Sequence, residues 1–332
     1  MTESLPQFKP NDEVEGLRIV SKLGEGAASV IYLAQDPKNK QVWALKHVHR
    51  GSHKDDRFLQ QAIYEYKVAT DLDHPNIRKI FRLEKKRKGL LQLTDVFLVM
   101  EMLDGVPLDK RPPRTFEEAV SMFLQIADAL RHMHQRGYVH ADMKPNNVMM
   151  VPGTVAKLID LGQSCREGTV KSRIQGTPDY IAPEQVHRRA ITAKTDVYNL
   201  GATMYALLTG RTVPTALPKG DALVGRLDDH MVPKPKPANE LNPKIPQMLT
   251  EVIMQSVEID PTDRPTMTYV AERLQLILGV LRAKSERGNA EPAKPTGNSS
   301  SSTVGLIYNE GSSAMGLKVP EPGQPPTGQN GA

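Results

Sequence analysis

Residues 140–147 read His140-Ala141-Asp142-Met143-Lys144-Pro145-Asn146-Asn147, and thirteen residues after Asn147 the chain reads Asp160-Leu161-Gly162. A carboxylate, a lysine two residues on and a carboxamide five residues on share one short polar stretch, with a second carboxylate close behind. Each of these side chains has an ordinary reading as a loop or capping residue. Their joint spacing carries the information, and the chain can be read outward from it.

Upstream, Gly24, Gly26 and Ser29 lie between the strand-like segments Leu17 to Leu23 and Val30 to Ala34. Bare backbone at the two glycines suits close approach to a polyphosphate, although a small-residue hairpin is more often a plain turn. A dinucleotide-binding unit is excluded, because a strand and not a helix follows the loop. Trp43-Ala44-Leu45-Lys46 alternates as a strand with Ala44 and Lys46 on one face. Glu65 sits on a helical stretch around Phe58 to Leu72, before the helix-ending proline of His74-Pro75-Asn76-Ile77. Gln61, one turn earlier on that face, carries no charge. Phosphoryl transfer needs an acceptor for a hydroxyl proton, oxygen ligands for Mg²⁺ and cations on the phosphates. Asp142 suits the first, Asn147 and Asp160 the second, and Lys46, held by Glu65, with Lys144 the third.

From Leu17 to Leu103 the pattern is of short strands around one helix, and after Asp104 the apolar spacing turns helical. Thr115 with Glu118 predicts a capping box opening a helix that stops at Gly137, with further helices at about 195–209, 244–256 and 266–283. Lys85-Lys86-Arg87-Lys88 reads as a solvated hairpin turn. From Ser285 the chain is rich in Gly, Pro, Ser, Asn and Thr, and such a segment buries too little apolar surface to order itself. Within it Gly305 to Tyr308 is a small apolar island, read as a chance cluster or a docking peptide. With 332 residues, 39% hydrophobic and 24% charged, the composition is that of a soluble globular chain. A net charge of +5 without a basic, aromatic-laced stripe gives no sign of nucleic acid. The single Cys165 excludes intramolecular disulfides and thiolate metal cages, and neither a signal core nor a membrane-length apolar run is present. A cytoplasmic protein is expected.

In these motifs and their order the chain resembles a eukaryotic-type, or Hanks-type, serine/threonine protein kinase of the bacterial branch, from about Leu17 to Arg282. Ala182-Pro183-Glu184 follows the magnesium-loop segment, Lys144-Pro145 and Gly176-Thr177-Pro178 match the serine/threonine version, and Ser29 and Gln185 are similar to bacterial members. The resemblance implies an α+β, bilobal protein-kinase-like fold. A small β-rich N-lobe would span residues 17–103 and a larger helical C-lobe 104–283, after an N-terminal extension of 1–16 and before a disordered tail of 284–332. It implies ATP and Mg²⁺ as cofactors and protein serine or threonine hydroxyls as acceptors. Leu23, Ile31 and Ala44 would cover the adenine, with Met149 beneath and Met100 as gatekeeper. The backbone of Glu101 and Leu103 would bond the adenine edge, and the loop of Gly24 and Gly26 would cover the phosphates. Asp142, Lys144, Lys46 and Glu65 would be catalytic, with Asn147 and Asp160 on the metal. Asp196 and Arg264 match two buried anchors, Arg264 pairing with Glu184. A regulatory partner would use the tail.

Three positions depart from the family pattern. Ala141 stands where many members place an arginine that grips a phosphorylated activation loop, so activity without such phosphorylation at Thr169 or Ser172 is expected. Leu161 replaces a phenylalanine with an apolar side chain of similar volume. Cys165, near Asp160, is read as passive. A scaffold of the same shape without turnover is the alternative, disfavoured by the intact Lys46, Asp142, Asn147 and Asp160. A small-molecule phosphotransferase is disfavoured by Ala182-Pro183-Glu184.

Overall fold

The structure, a computed structural model, describes residues 7–26, 28–52, 55–89, 92–217 and 228–290. Strict alternation builds the first layer: in β3 (Ser29–Gln35), Val30, Tyr32 and Ala34 are buried on one face. β3 pairs antiparallel with β2 (Leu17–Glu25) on one side and β4 (Val42–His49) on the other. With β1 (Glu13–Val14), β5 (Ile80–Lys88) and β6 (Gln92–Glu101) they form an antiparallel sheet ordered β1-β2-β3-β4-β6-β5.

Both faces of the central strands are covered, which is why Ala44 and Leu45 are both buried. Val30, Tyr32, Leu45, Phe97 and Val99 face one cluster. Ala44, Val48, Leu98 and Met100 face the other, together with Leu59, Ala62 and Val68 of helix α1 (Asp56–Thr70).

Two expectations change here. Phe8 and Val14 pack into the first cluster and β1 extends the sheet, so the described part of the N-terminal extension belongs to this layer. Lys85, Lys86, Arg87 and Lys88 are strand residues of β5 paired with β6, and the turn starts only at Gly89, where φ is +64°. β5 is a sheet edge, where lysine-rich surfaces discourage further pairing, so the charges fit a strand as well as a turn.

The second layer is helical. Thr115 caps α2 (Phe116–Gln135) by accepting from the Glu118 N–H at 3.1 Å. Glu118 reaches back one residue further than a capping box requires, to the Arg114 N–H at 2.8 Å. The chain then leaves the helix through Gly137, at φ +73°. β7 (Val106–Pro107), β9 (Val148–Val151) and β10 (Val155–Leu158) make a small sheet. β8 (Tyr138–Val139) pairs with β11 (Cys165–Arg166). The remaining helices are α3 (Pro183–Val186), α4 (Ala193–Thr209), α5 (Ala238–Leu241), α6 (Gln247–Ser256) and α7 (Met267–Ala290). α4 and α6 meet at Gly201, where an added Cβ would fall 2.6 Å from that of Ser256.

α7 runs past residue 283, where the composition predicted the tail to begin. The rest of that segment, with the Gly305–Tyr308 island, lies outside the described residues. Among the described residues no helix is long and apolar enough to cross a membrane.

One apolar cluster runs from Ala44 and Leu98 in the sheet through Phe123, Val148 and Leu158 to Leu278 in α7. Backbone bonds clamp the layers beside it: the Arg78 N–H donates to the Leu158 carbonyl and the Leu158 N–H to that of Asn76, each at 2.8 Å. The candidate residues from both halves gather at this junction.

Candidate active site

The pleat of β4 puts Lys46 on the α1 side of the sheet, across from Ile31 on β3 and Leu98 on β6. Its ammonium donates to Glu65 Oε2 of α1 at 2.7 Å, and the Glu65 side chain is only 2% exposed. Burial pushes Lys46 downward, but Glu65 and Asp160 outweigh it and hold the amine above its ordinary value, charged at every physiological pH. Burial pushes the Glu65 carboxyl upward, with Lys46 pulling against it. Gln61 takes no part in the pair. It lies against Gly162, where an added Cβ would come within 2.8 Å of its Nε2, and the glycine admits this close approach. Leu161 is buried in the main core, as a volume-matched replacement should be.

The stretch 140–147 folds as a loop closed by a short turn at Pro145–Asn147. Asp196 of α4, fully buried, accepts the His140 and Ala141 N–H groups at 2.8 Å each and His134 Nε2 at 2.8 Å. Those bonds hold Ala141 at φ +61°, a costly conformation for a residue with a Cβ. Asp142 is thereby presented with both oxygens engaged: Thr177 Oγ1 donates to Oδ1 at 2.9 Å and Lys144 Nζ to Oδ2 at 2.8 Å. Lys144 Nζ also reaches Thr177 Oγ1 at 2.7 Å, closing a three-residue cluster.

Asn147 Nδ2 donates to the Asp142 carbonyl at 2.8 Å, and the Gly162 N–H donates to Asp160 Oδ1 at 2.9 Å. Burial pushes the Asp160 carboxyl up, but Lys46 and the Gly162 N–H overcome it and hold the group below its ordinary value, ionised. Among the described residues Asn147 Oδ1 and Asp160 Oδ2 accept no hydrogen bond. Two free oxygens of this kind are what a hard divalent cation takes.

The residues expected around a base divide between the layers. Ala44 and Met100 face each other across β4 and β6, both fully buried. Ile31 and Met149 are partly buried, and Leu23 on β2 is 47% exposed. Gly24 is the next-to-last residue of β2, opposite Ile31, and Gly26 lies in the β2–β3 turn with its N–H bonded to the Ser29 carbonyl at 2.7 Å. The Glu101 N–H is spent on the Lys79 carbonyl at 2.9 Å. Leu103 follows β6, and its backbone N–H makes no hydrogen bond among the described residues. Met149 is fixed from behind by Gly105, where an added Cβ would sit 2.9 Å from the Met149 side chain and 2.6 Å from the Met150 carbonyl.

Sequence reading missed three contributors. Arg78 is 8% exposed, and its Nε donates to the Glu101 carbonyl at 3.0 Å. Burial pushes its guanidinium down while Glu65, Glu101 and Asp160 pull it up, so it belongs to the same electrostatic set. Its local sequence, Ile77-Arg78-Lys79-Ile80, places two basic residues side by side and does not mark which of them is buried. Thr177 was noticed only as part of a motif. Gln185 of α3 donates to the carbonyls of Ala141 at 2.7 Å and Gln175 at 3.2 Å, and its Oε1 accepts the Ala182 N–H at 3.0 Å. It staples the catalytic-type loop to segment 175–185. Arg264 pairs with Glu184 as expected, through two parallel bonds of 2.8 and 2.9 Å. Cys165 is buried, which pushes its thiol upward and suits a passive residue.

Comparison with known proteins agrees with this geometry. Residues 17–274 match the protein kinase domain family. The chain is 30% identical over 310 residues to the serine/threonine-protein kinase Pkn1 of Myxococcus xanthus, covering 88% of this chain and 43% of that protein. It is 30% identical over 256 residues to the serine/threonine-protein kinase PrkC of Bacillus subtilis, covering 74% and 38%. It is 26% identical over 288 residues to the serine/threonine-protein kinase PknD of Chlamydia pneumoniae, covering 76% and 30%. The chain thus spans less than half the length of each of these relatives. With the lysine, glutamate, aspartate and asparagine side chains gathered at the junction of the two layers and residues 17–274 matching the family, this chain belongs to the protein kinase family and is similar to its bacterial serine/threonine members.

Proposed function

We propose that this chain transfers the γ-phosphoryl group of ATP to serine and threonine hydroxyls of proteins, with Mg²⁺. The observation that carries the reading is the coupling of the buried Lys46–Glu65 pair with buried Asp160 and, through Lys144, with the partly buried Asp142–Lys144–Thr177 cluster. Lys46, oriented by Glu65, binds phosphate oxygens. Asp142 aligns the acceptor hydroxyl and receives its proton as the new P–O bond forms and the bond to the ADP oxygen breaks. Lys144 balances charge on the transferring group while Thr177 fixes the aspartate. Asn147 and Asp160 supply oxygens for the cation, which when bound offsets charge on the β- and γ-phosphates. Leu23, Ile31, Ala44, Met100 and Met149 enclose the base, the turn at Gly24 and Gly26 covers the phosphates, and the Leu103 N–H and the Glu101 carbonyl meet the adenine edge. The unit doing this is taken as residues 17–283.

The same reading includes activity without activation-loop phosphorylation. Ala141 offers no guanidinium, and the loop has other anchors. Gln185 holds its Gln175 end, Lys171 Nζ donates to the Gln163 carbonyl at 2.6 Å, and the Ile191 N–H bonds the Thr169 carbonyl at 2.9 Å. Ser172 lines a cavity of about 530 Å³ with Arg57, Lys171 and Arg173, which could receive a phosphate, so the loop needs its own test.

The assay uses labelled ATP, Mg²⁺ and a basic acceptor protein with wild type and Asp142→Asn. Label transferred by wild type alone supports catalysis. Equal silence, with nucleotide still bound, favours a non-catalytic scaffold. In the same assay Thr169→Ala and Ser172→Ala together retain activity within about tenfold, or roughly 1.4 kcal/mol of barrier. A larger loss rejects the phosphorylation-independent reading while leaving the kinase reading standing.

A further inference from the structure

The sheet face turned away from Lys46 carries a second cluster that phosphoryl transfer does not use. β4 places His47 and His49 two residues apart on that face, and β6 places Asp95 directly across from His49. His47 Nε2 lies 2.8 Å and His49 Nδ1 2.7 Å from the same oxygen, Asp95 Oδ1. The three ligand-type atoms all fall within 4.8 Å of one another. We propose that His47, His49 and Asp95 form a binding site for a divalent transition-metal ion of zinc type, with water as the fourth ligand.

The donor set decides the class of ion. Two imidazoles and one carboxylate suit a borderline first-row ion, whereas Mg²⁺ prefers oxygen donors in an octahedron. Tetrahedral bonds of about 2.0–2.2 Å separate ligand atoms by about 3.3 Å. Each nitrogen–oxygen pair therefore needs to open by only about half an ångström, and the two nitrogens, within 4.8 Å of each other, lie in reach of one ion. Without metal, each ring donates an N–H to Asp95. On binding, that proton passes to the other ring nitrogen, Nδ1 in His47 and Nε2 in His49, so the lone pair faces the ion. Nothing is oxidised or reduced, and the ion exchanges hydration waters for three protein ligands.

The surroundings favour a fixed site. The His47 ring is 3% exposed and stacks on Phe97 with centroids 4.5 Å apart and planes 4° apart, while Phe8 lies 5.0 Å away on the same cluster. Such packing fixes a ligand's orientation. The His49 and Asp95 side chains are 28% and 16% exposed, leaving an open side for entry and for the remaining water. A competing cation is close by, since Lys86 pairs across the sheet with Asp95. Its ammonium is drawn to Glu15 at 2.9 Å and over the Phe97 ring.

The test titrates the chelator-stripped full chain with Zn²⁺ against a chromophoric chelator in excess Mg²⁺. One zinc per chain is expected, with a rise in melting temperature. His49→Gln and Asp95→Asn should each weaken binding by at least about tenfold. His132→Gln, which alters a histidine pair elsewhere in the fold, His74 with His132, should leave it unchanged. No zinc uptake by wild type, or equal uptake by the His49 and Asp95 variants, overturns the proposal and leaves a hydrogen-bonded histidine pair. Should those variants fail to fold by circular dichroism, cobalt(II) added to wild type decides. Intense tetrahedral d–d bands support the site, and the weak spectrum of the aqueous ion rejects it. None of these readouts depends on phosphotransfer.

Discussion

Replacing Arg264 tests the anchor that ties the segment after Thr177 to the helical layer. Its side chain is fully buried, and all five of its N–H donors are used. Two go to Glu184 at 2.8 and 2.9 Å, and three go to the carbonyls of Glu258, Lys194 and Ile259 at 2.7, 3.0 and 2.8 Å. Among the described residues, Arg264→Met leaves the buried Glu184 carboxylate with the Thr195 hydroxyl alone, at 2.7 Å. Breaking one side of a buried pair costs about 3–5 kcal/mol, because the surviving charge keeps its desolvation penalty without its partner. For a domain of this size that is a fall of about 6–20 °C in melting temperature. Arg264→Lys keeps a charge but has three donors and no planar fork, so it should fall between wild type and Arg264→Met. The double variant Glu184→Gln with Arg264→Met removes the stranded charge and should be more stable than Arg264→Met alone by at least about 1.5 kcal/mol. Urea unfolding of the four proteins measures this. A single variant within about 1 kcal/mol of wild type, or a double variant no better than the single, would refute the assignment of the stabilisation to this charge pair.

Other consequences can be checked in the same way. Glu65→Gln removes the charge that orients Lys46 and should lower kcat/KM for ATP by at least about tenfold with the fold intact; a rate equal to wild type contradicts the pairing. Arg78→Met frees the Glu101 carbonyl, so KM for ATP should rise about threefold or more while kcat stays within about twofold, read from initial rates. The Tyr138 hydroxyl donates to Asp71, and burial with that carboxylate pushes it up to about 12 from an ordinary 10.0. The protonated form is the one the fold favours, so its stabilisation is complete below pH 10 and is lost as pH rises towards 12. The stability difference between wild type and Tyr138→Phe should therefore shrink across that window, and a constant difference in denaturation from pH 9 to pH 12 would contradict it.

Local sequence determined much of this protein. The alternating strands, a helix ending before Pro75, which the structure ends at Thr70, and the loop of residues 140–147 were readable because periodicity and proline act within a few residues. Lys46 with Glu65 and Arg264 with Glu184 were readable as pairs only through resemblance to a family, since separations of 19 and 80 residues leave no local trace. Register and tertiary contact decided the rest. Lys85 to Lys88 could be turn or strand until β6 supplied a partner, and Gln185 had no visible task until the fold brought it to Ala141. Arg78 faces the Glu101 carbonyl, and Asp95 faces two histidines, only because β6 lies beside its neighbours in one particular register. A strand's own pattern states which face a residue takes. Which residue stands opposite is set by the packing of the whole sheet, because a one-residue slip would turn every side chain of that strand to the other face.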